Sequence, residues 1–238
     1  MIKKNIKVVI LCGGKGSRLA EETKVKPKPM VKIGTSPILI HIMKKYYKHG
    51  FRNFILALGY KKEIITKYFK ETNFKEKWNV ELVNTGKETL TAKRLLNLKK
   101  KLIKNDFFLL TYGDGLSDLD INKLVNFHIK HKKIATVTAV RPPARFGELK
   151  IIKNNVSNFD EKNQINVGWI NGGFFVFNKE IFNFIPNKNT MLERNTMKSL
   201  TSKKQLMAFK HNGFWQCMDT LRDKELLNKS WKKNPKSW

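Results

Sequence analysis

Val8-Val9-Ile10-Leu11-Cys12-Gly13-Gly14-Lys15-Gly16-Ser17-Arg18-Leu19 decides how this chain is read. The unbroken apolar run predicts a strand buried on both faces, as in a parallel sheet. It empties into a glycine-rich loop. Glycine has no Cβ, so backbone N–H groups in such a loop can approach a phosphate closely. Arg18 adds a fixed cation, and Lys28 follows in Lys26-Pro27-Lys28-Pro29-Met30, where the two prolines restrict the backbone on either side of it. The spacing is not that of a P-loop, which requires Gly-Lys-Ser/Thr after four residues. Leu19 stands where a dinucleotide fingerprint has its third glycine, which argues against NAD. The stretch reads as a nucleoside triphosphate site, with cations to spare for a second phosphorylated substrate.

Outward from this stretch, strand-like and helix-like segments alternate. Ser36 can cap a helix that opens on Pro37, carries Ile38, Ile42, Met43 and Tyr46 on one face and stops at Gly50. Strands are predicted at Phe54–Leu58, Val80–Val83, Phe107–Tyr112 and Ala135–Val140, with helices over Lys61–Phe69, over Thr91–Ile103 with Leu95, Leu98 and Leu102 inward, and from Asp120 to about Lys130. The later part is less regular. Strands are predicted at Glu148–Ile152, Gly172–Phe177 and Leu206–Phe209, and helices over Lys179–Ile185, Met191–Leu200 and Thr220–Lys232. The expected fold is α/β: a doubly wound, mostly parallel sheet flanked by helices, Rossmann-like, with a smaller irregular part. No linker or internal repeat divides the 238 residues, so one domain is expected.

A formal charge of +29 invites a nucleic-acid or membrane reading. The lysines are spread along the whole chain, however, and no basic arm, aromatic RNA-binding motif or zinc-finger spacing accompanies them. Neither nucleic acid nor membrane is expected as a partner. No apolar run approaches a membrane span or a signal-peptide core, so the expected location is cytoplasmic. Cys12 and Cys217 make neither a disulfide framework nor a metal-ligand spacing, and His128 and His131 lack the acid or thiol that would complete a zinc set.

Two carboxylates stand out. Asp114 lies in Tyr112-Gly113-Asp114-Gly115 directly after an apolar strand; it can be a turn aspartate bonded to its own backbone, or a Mg²⁺ ligand. Asp219, in Met218-Asp219-Thr220, can be the N-cap of the last helix or the second ligand.

Leu-x-Gly-Gly-x-Gly-Ser-Arg-Leu, Lys-Pro-Lys-Pro-Met, Gly-Asp-Gly and Met-Asp-Thr together resemble the sugar-1-phosphate nucleotidyltransferases, and among these the glucose-1-phosphate cytidylyltransferases. Pro37–Met43, Thr111–Ser117, Trp169–Phe175 and Leu206–Asp223 extend the resemblance to nearly the whole chain. It implies CTP and glucose 1-phosphate as substrates, Mg²⁺ as cofactor, CDP-glucose for surface polysaccharide (O-antigen, dideoxysugar) synthesis, and a homo-oligomer. A nucleotidyltransferase with another nucleotide or sugar phosphate is the alternative, with a non-catalytic homologue and a nucleic-acid-binding protein behind it. By the same resemblance, Leu11, Cys12, Gly13 and Gly14 hold the nucleotide, with Lys15 beside them, and Gly16, Ser17 and Arg18 hold its phosphates, with Arg18 on the departing pyrophosphate. Lys28 neutralises charge between the two substrates' phosphates, and Asp114 and Asp219 hold Mg²⁺. Gly113, Thr89 and Arg94 belong to the nucleotide side; Gly147, Glu161, Lys162 and Asn171 belong to the sugar side. Residues 1–140 would then form mainly the nucleotide-binding part, and residues 141–238 mainly the part for the sugar phosphate and second metal ligand. The segment between Phe69 and Trp78 is shorter than is usual in the family. Cys12 stands in place of a usual alanine, Cys217 and Asn163 of prolines, and Ala144 of a glycine.

Overall fold

The computed structural model describes residues 5–142, 148–160, 168–235 and 238. Its centre is a seven-stranded sheet: β1 (Lys7–Cys12), β2 (Asn53–Leu58), β3 (Asn79–Asn84), β4 (Phe107–Tyr112), β5 (Ala135–Val140), β6 (Ile170–Asn178) and β7 (Leu206–His211). The spatial order is β3-β2-β1-β4-β6-β5-β7. β1 pairs parallel with β2 and β4, β2 with β3, and β5 with β7, whereas β6 runs antiparallel to both its neighbours. The later part of the chain therefore contributes β6 and β7 to the same sheet, and the irregular remainder includes the hairpin Glu148–Ile152/Asn155–Asp160.

Alternate residues of a strand face opposite sides, and both sides of this sheet are dry. Val8, Ile10, Phe54, Leu56 and Leu109 pack with α1 (Ile38–Lys48) and with α4 (Ile121–His131) on one face. Val9, Leu11, Ile55, Ala57 and Leu110 pack on the other with Leu95, Leu98 and Leu102. Phe174 and Val176 join the first layer, and Phe175 and Phe177 the second.

Two expected boundaries shift. Ser36 and Pro37 form a two-residue strand against Lys32–Ile33 instead of opening the helix, so α1 begins at Ile38 with Pro37 as its N-cap and no side-chain cap. The helix expected over Thr91–Ile103 is two pieces, α3 (Thr91–Leu96) and Lys99–Leu102, broken where the Asn97 side chain donates to the Thr85 carbonyl at 3.2 Å. Asp120 does cap α4, accepting from the backbone of Asn122 and Lys123. Among the described residues no helix is long and apolar enough to cross a membrane.

His128 and His131 serve the protein interior. Both rings approach the Thr136 hydroxyl, at 2.8 and 2.6 Å, and His128 also contacts the Asn178 side chain at 2.8 Å. Burial, reinforced by nearby His131 and opposed by the Asn178 bond, pushes the His128 pKa down to about 4.

Candidate active site

Strands β2 and β3 succeed β1 on one side of it, whereas β4 lies on the other, so the switch in strand order falls between β1 and β4. Ligands of such sheets bind beyond the carboxyl ends of the strands at this switch. A cleft of about 560 Å³ opens there. Its walls include Leu11 to Gly14 and Gly16 to Arg18 after β1, Thr89 and Arg94 after β3, Thr111 to Asp114 at the end of β4, and Asn171 to Gly173 on β6.

The floor is a charge cluster drawn from three distant parts of the chain. Lys28 Nζ donates to Asp114 Oδ2 at 2.7 Å and to Asp219 Oδ1 at 2.5 Å, and an Arg18 guanidinium nitrogen lies 2.7 Å from Asp219 Oδ2. The Lys28 side chain is 12% exposed and that of Arg18 75%, which puts the lysine at the floor and the arginine at the mouth. Burial alone would lower the Lys28 pKa, but the two carboxylates outweigh it, so the net shift is upward and the ammonium stays charged.

Local geometry explains why both carboxylates point inward. Asp114 is held by the chain around it: Gly113 N donates to Leu11 O, and Met218 N donates to Asp114 O at 2.8 Å. A short ribbon pairs Gly115–Ser117 with Trp215–Cys217, carrying Asp219 to the same place. The last helix, α6 (Leu221–Lys233), needs a cap, and Thr220 supplies it: its hydroxyl accepts from Asp223 N, and the Asp223 carboxylate accepts from Thr220 N. Asp219 is thereby released from the capping role the sequence also allows. Its backbone N–H donates to Asp223, while its side chain faces Lys28 and Arg18.

The wall after β1 rests on Arg94, which is 3% exposed. Its guanidinium donates to the carbonyls of Leu58 (2.7 Å), Thr89 (2.6 Å) and Gly13 (3.3 Å), and to the Thr85 hydroxyl. A Cβ on Gly13 would lie 2.1 Å from that guanidinium, so the loop can settle over the arginine only because the residue is glycine. Arg94 thus braces the Gly13 and Thr89 loops from below while still lining the cleft. Lys15 does not line the cleft; it bridges to Glu88 at 2.9 Å between two exposed side chains, tying the same two loops from outside.

Asn171 lies on the opposite wall, where its Oδ1 accepts from Gly173 N at 2.8 Å. Gly173 has φ +80°, and a Cβ there would come within 2.6 Å of the Tyr112 ring. Trp215 Nε1 donates to Gly172 O at 2.7 Å and fastens this wall to the ribbon that bears Asp219. Gly147, Glu161 and Lys162 lie outside the described residues, as do Ala144 and Asn163. Cys12 is fully buried and Cys217 partly so, and both line the cleft. Burial, followed by the charge of Asp219 and Asp114, pushes the Cys217 thiol up to about 12, so it stays protonated at neutral pH.

Sequence reasoning missed Tyr112, Trp215 and Glu193 as parts of this site. Glu193 sits in the π-helical turn Leu192–Thr196, inside a stretch that reads as an undistinguished helix. Its carboxylate accepts from the Tyr112 hydroxyl and, at 2.9 Å, from the Thr91 hydroxyl. No local motif marks it; only the tertiary contacts do.

A glycine loop, cations and paired carboxylates gathered at the switch point of a parallel sheet define a nucleotide-dependent α/β enzyme. The chain belongs to the nucleotidyl transferase family, whose profile matches residues 7–226. It is 46% identical to a glucose-1-phosphate cytidylyltransferase of Salmonella typhimurium over 253 aligned positions, covering 98% of each chain. Among solved structures, HddC from Yersinia pseudotuberculosis complexed with GMP-PN superimposes with a TM-score of 0.73 at 25% identity, over 95% of this chain and 99% of that one. A UDP-glucose pyrophosphorylase complexed with UDP-glucose shares the fold, with a TM-score of 0.73 at 16% identity, over 96% of this chain and 98% of that one. The Salmonella alignment is longer than the 238 residues of this chain, so that relative carries segments this chain lacks. Enzymes of this family generally use a divalent metal.

Proposed function

We propose that this chain transfers a cytidylyl group from CTP to glucose 1-phosphate, giving CDP-glucose and pyrophosphate. The observation that carries the reading is the partly buried Lys28 ammonium held between Asp114 and Asp219 at the switch point. The near full-length likeness to the Salmonella cytidylyltransferase supports the choice of substrates.

The chemistry suits the residues. A phosphate oxygen of glucose 1-phosphate attacks the α-phosphorus of CTP, and the bond from that phosphorus to the β-phosphate oxygen breaks. The pyrophosphate leaves with the electron pair. The nucleophile is already ionised, so no general base is needed, and catalysis consists of positioning and charge stabilisation. The Gly13–Ser17 loop offers backbone amides to the triphosphate. Arg18, at the mouth, meets the charge growing on the leaving pyrophosphate. Lys28 lies where the two substrates' phosphates meet and offsets their repulsion.

The two carboxylates also suit a metal. Their oxygens converge on one ammonium, so they lie within reach of a single cation, and hard oxygen donors of this kind suit Mg²⁺, which takes its other ligands from phosphate and water. Asp114 and Asp219 would hold that ion, which when bound supplies charge neutralisation at the α-phosphate. The same reading takes the enzyme to be a cytoplasmic homo-oligomer that feeds surface polysaccharide synthesis.

Pyrophosphate release tests the reaction directly. The purified protein is given glucose 1-phosphate with CTP, UTP, dTTP or GTP in turn, with and without Mg²⁺. CTP should be preferred and turnover should need the metal. Preferred use of another nucleotide would overturn the assignment of CTP.

A further inference from the structure

The sheet order sets out the cleft from side to side. The loops after β1 and β3 form one wall, β4 runs down the middle with Asp114 at its tip, and β6 forms the other wall. With the nucleotide on the β1 side, as proposed above, the acceptor sugar lies against Tyr112 and the start of β6. Tyr112 lies between the two walls. Its ring meets Phe175 edge-on at 5.8 Å and is overlain by the Cα of Gly173. Its hydroxyl lies 3.5 Å from Asn171 Nδ2.

What fixes this hydroxyl is Glu193. An ionised carboxylate can only accept, so both of its contacts have a determined direction. Tyr112 donates to one oxygen and Thr91 to the other. The Thr91 oxygen in turn accepts from Leu192 N at 2.7 Å, which closes the network without ambiguity. With that hydrogen committed to Glu193 and Asn171 on one lone pair, the phenolic oxygen of Tyr112, a residue of the cleft wall, is left with acceptor capacity only.

We propose that Glu193 is a positioning residue for the acceptor substrate: by accepting the hydrogen bond of the Tyr112 hydroxyl it makes the phenolic oxygen an obligate acceptor, which reads one donating hydroxyl of the sugar. The inference rests on the proposed function in placing the sugar on the β6 side. A site built to pair with a hydroxyl rejects the analogue that lacks it, because its own polar group is then left unpaired.

The test uses glucose 1-phosphate and its deoxy series, one hydroxyl removed at a time, with KM and kcat measured for the wild type, Tyr112→Phe and Glu193→Gln. The wild type should discriminate against one member of the series. Tyr112→Phe should abolish that preference, raising KM for glucose 1-phosphate about tenfold, the scale of one hydrogen bond, while kcat and the KM of CTP change little. Glu193→Gln should do the same, because an amide can donate to Tyr112 and reverse the direction of the bond. Adding Glu193→Gln to Tyr112→Phe should then cost little more. Unchanged discrimination in Tyr112→Phe overturns the proposal, as does a Glu193→Gln variant in which KM rises equally for CTP and sugar phosphate, which marks a merely structural wall. Should Glu193→Gln fail to fold, Tyr112→Phe decides alone. A wild type that prefers another nucleotide would instead overturn the proposed function, and the deoxy series would still decide the role of Tyr112.

Discussion

The two walls of the cleft are built by different means. The wall after β1 is mainly backbone: glycines lie over a buried arginine that takes up carbonyls from Leu58, Thr89 and Gly13. The wall at β6 is mainly side chains brought from separate segments, with Tyr112 bonded to Glu193 and Asn171, and Trp215 to the Gly172 carbonyl. A triphosphate asks for amides and positive charge, which one loop can supply. A sugar asks for hydroxyl partners at several positions, which no single loop provides. On the proposed placement of the substrates, the wall for the nucleotide is fixed by local sequence, whereas the wall for the acceptor depends on the whole chain being folded.

Substitutions can test this contrast. The floor that both walls share should give the largest effect: Asp114→Asn should lower Mg²⁺-dependent pyrophosphate release by about 10³-fold or more with circular dichroism unchanged, and a near-normal rate would contradict its role as a metal ligand. Arg18→Ala, at the exposed mouth, should cost on the order of 10²-fold in kcat, measured in single turnovers, with little loss of stability. Arg94→Met attacks the backbone wall alone. It removes a charged donor from three carbonyls, of which those of Leu58 and Gly13 keep backbone donors in Thr85 and Tyr60, so we expect a loss of about 1–3 kcal/mol in chemical denaturation and a rise in KM for CTP that leaves KM for glucose 1-phosphate nearly unchanged. Equal effects on both substrates would show that the walls are not separable.

The smallest effect should come from the far end of the sheet, where His128 meets Thr136 and Asn178. The folded His128 pKa of about 4 lies below its ordinary value near 6.5. Between these values the unfolded chain binds the proton and the folded chain does not, so stability rises with pH across that window and is lost as the solution is acidified. The melting temperature should fall from pH 7 to pH 5, less steeply in His128→Gln, with KM for both substrates unchanged.

The same contrast governs what the sequence reveals. The strand at Val8–Cys12, its glycine loop and the Lys28 and Asp114 turns are contiguous and chemically marked, so the α/β class and the charged floor of the cleft were legible. The core positions of the central strands follow from their apolar runs. Ser36 misleads because a serine before a proline is also a good strand partner, and the pairing with Lys32–Ile33 claims it first. The break at Asn97 depends on Thr85, twelve residues away in the chain. Glu193 carries no local mark, because its meaning lies in Tyr112 and Thr91, 81 and 102 residues distant. Asp219 was legible as either a helix cap or a second metal ligand; Thr220 and Asp223 take the cap between them, so the capping alternative falls.

One consequence follows from how far apart the floor residues lie. Lys28 and Asp219 are separated by 191 positions, and the ribbon that brings Asp219 beside Asp114 pairs Gly115–Ser117 with Trp215–Cys217. A chain that ends before the ribbon's second strand has the glycine loop and Lys28 but not Asp219, one of the two carboxylates that hold that lysine; on the roles proposed above, competence for transfer is among the last properties acquired during synthesis.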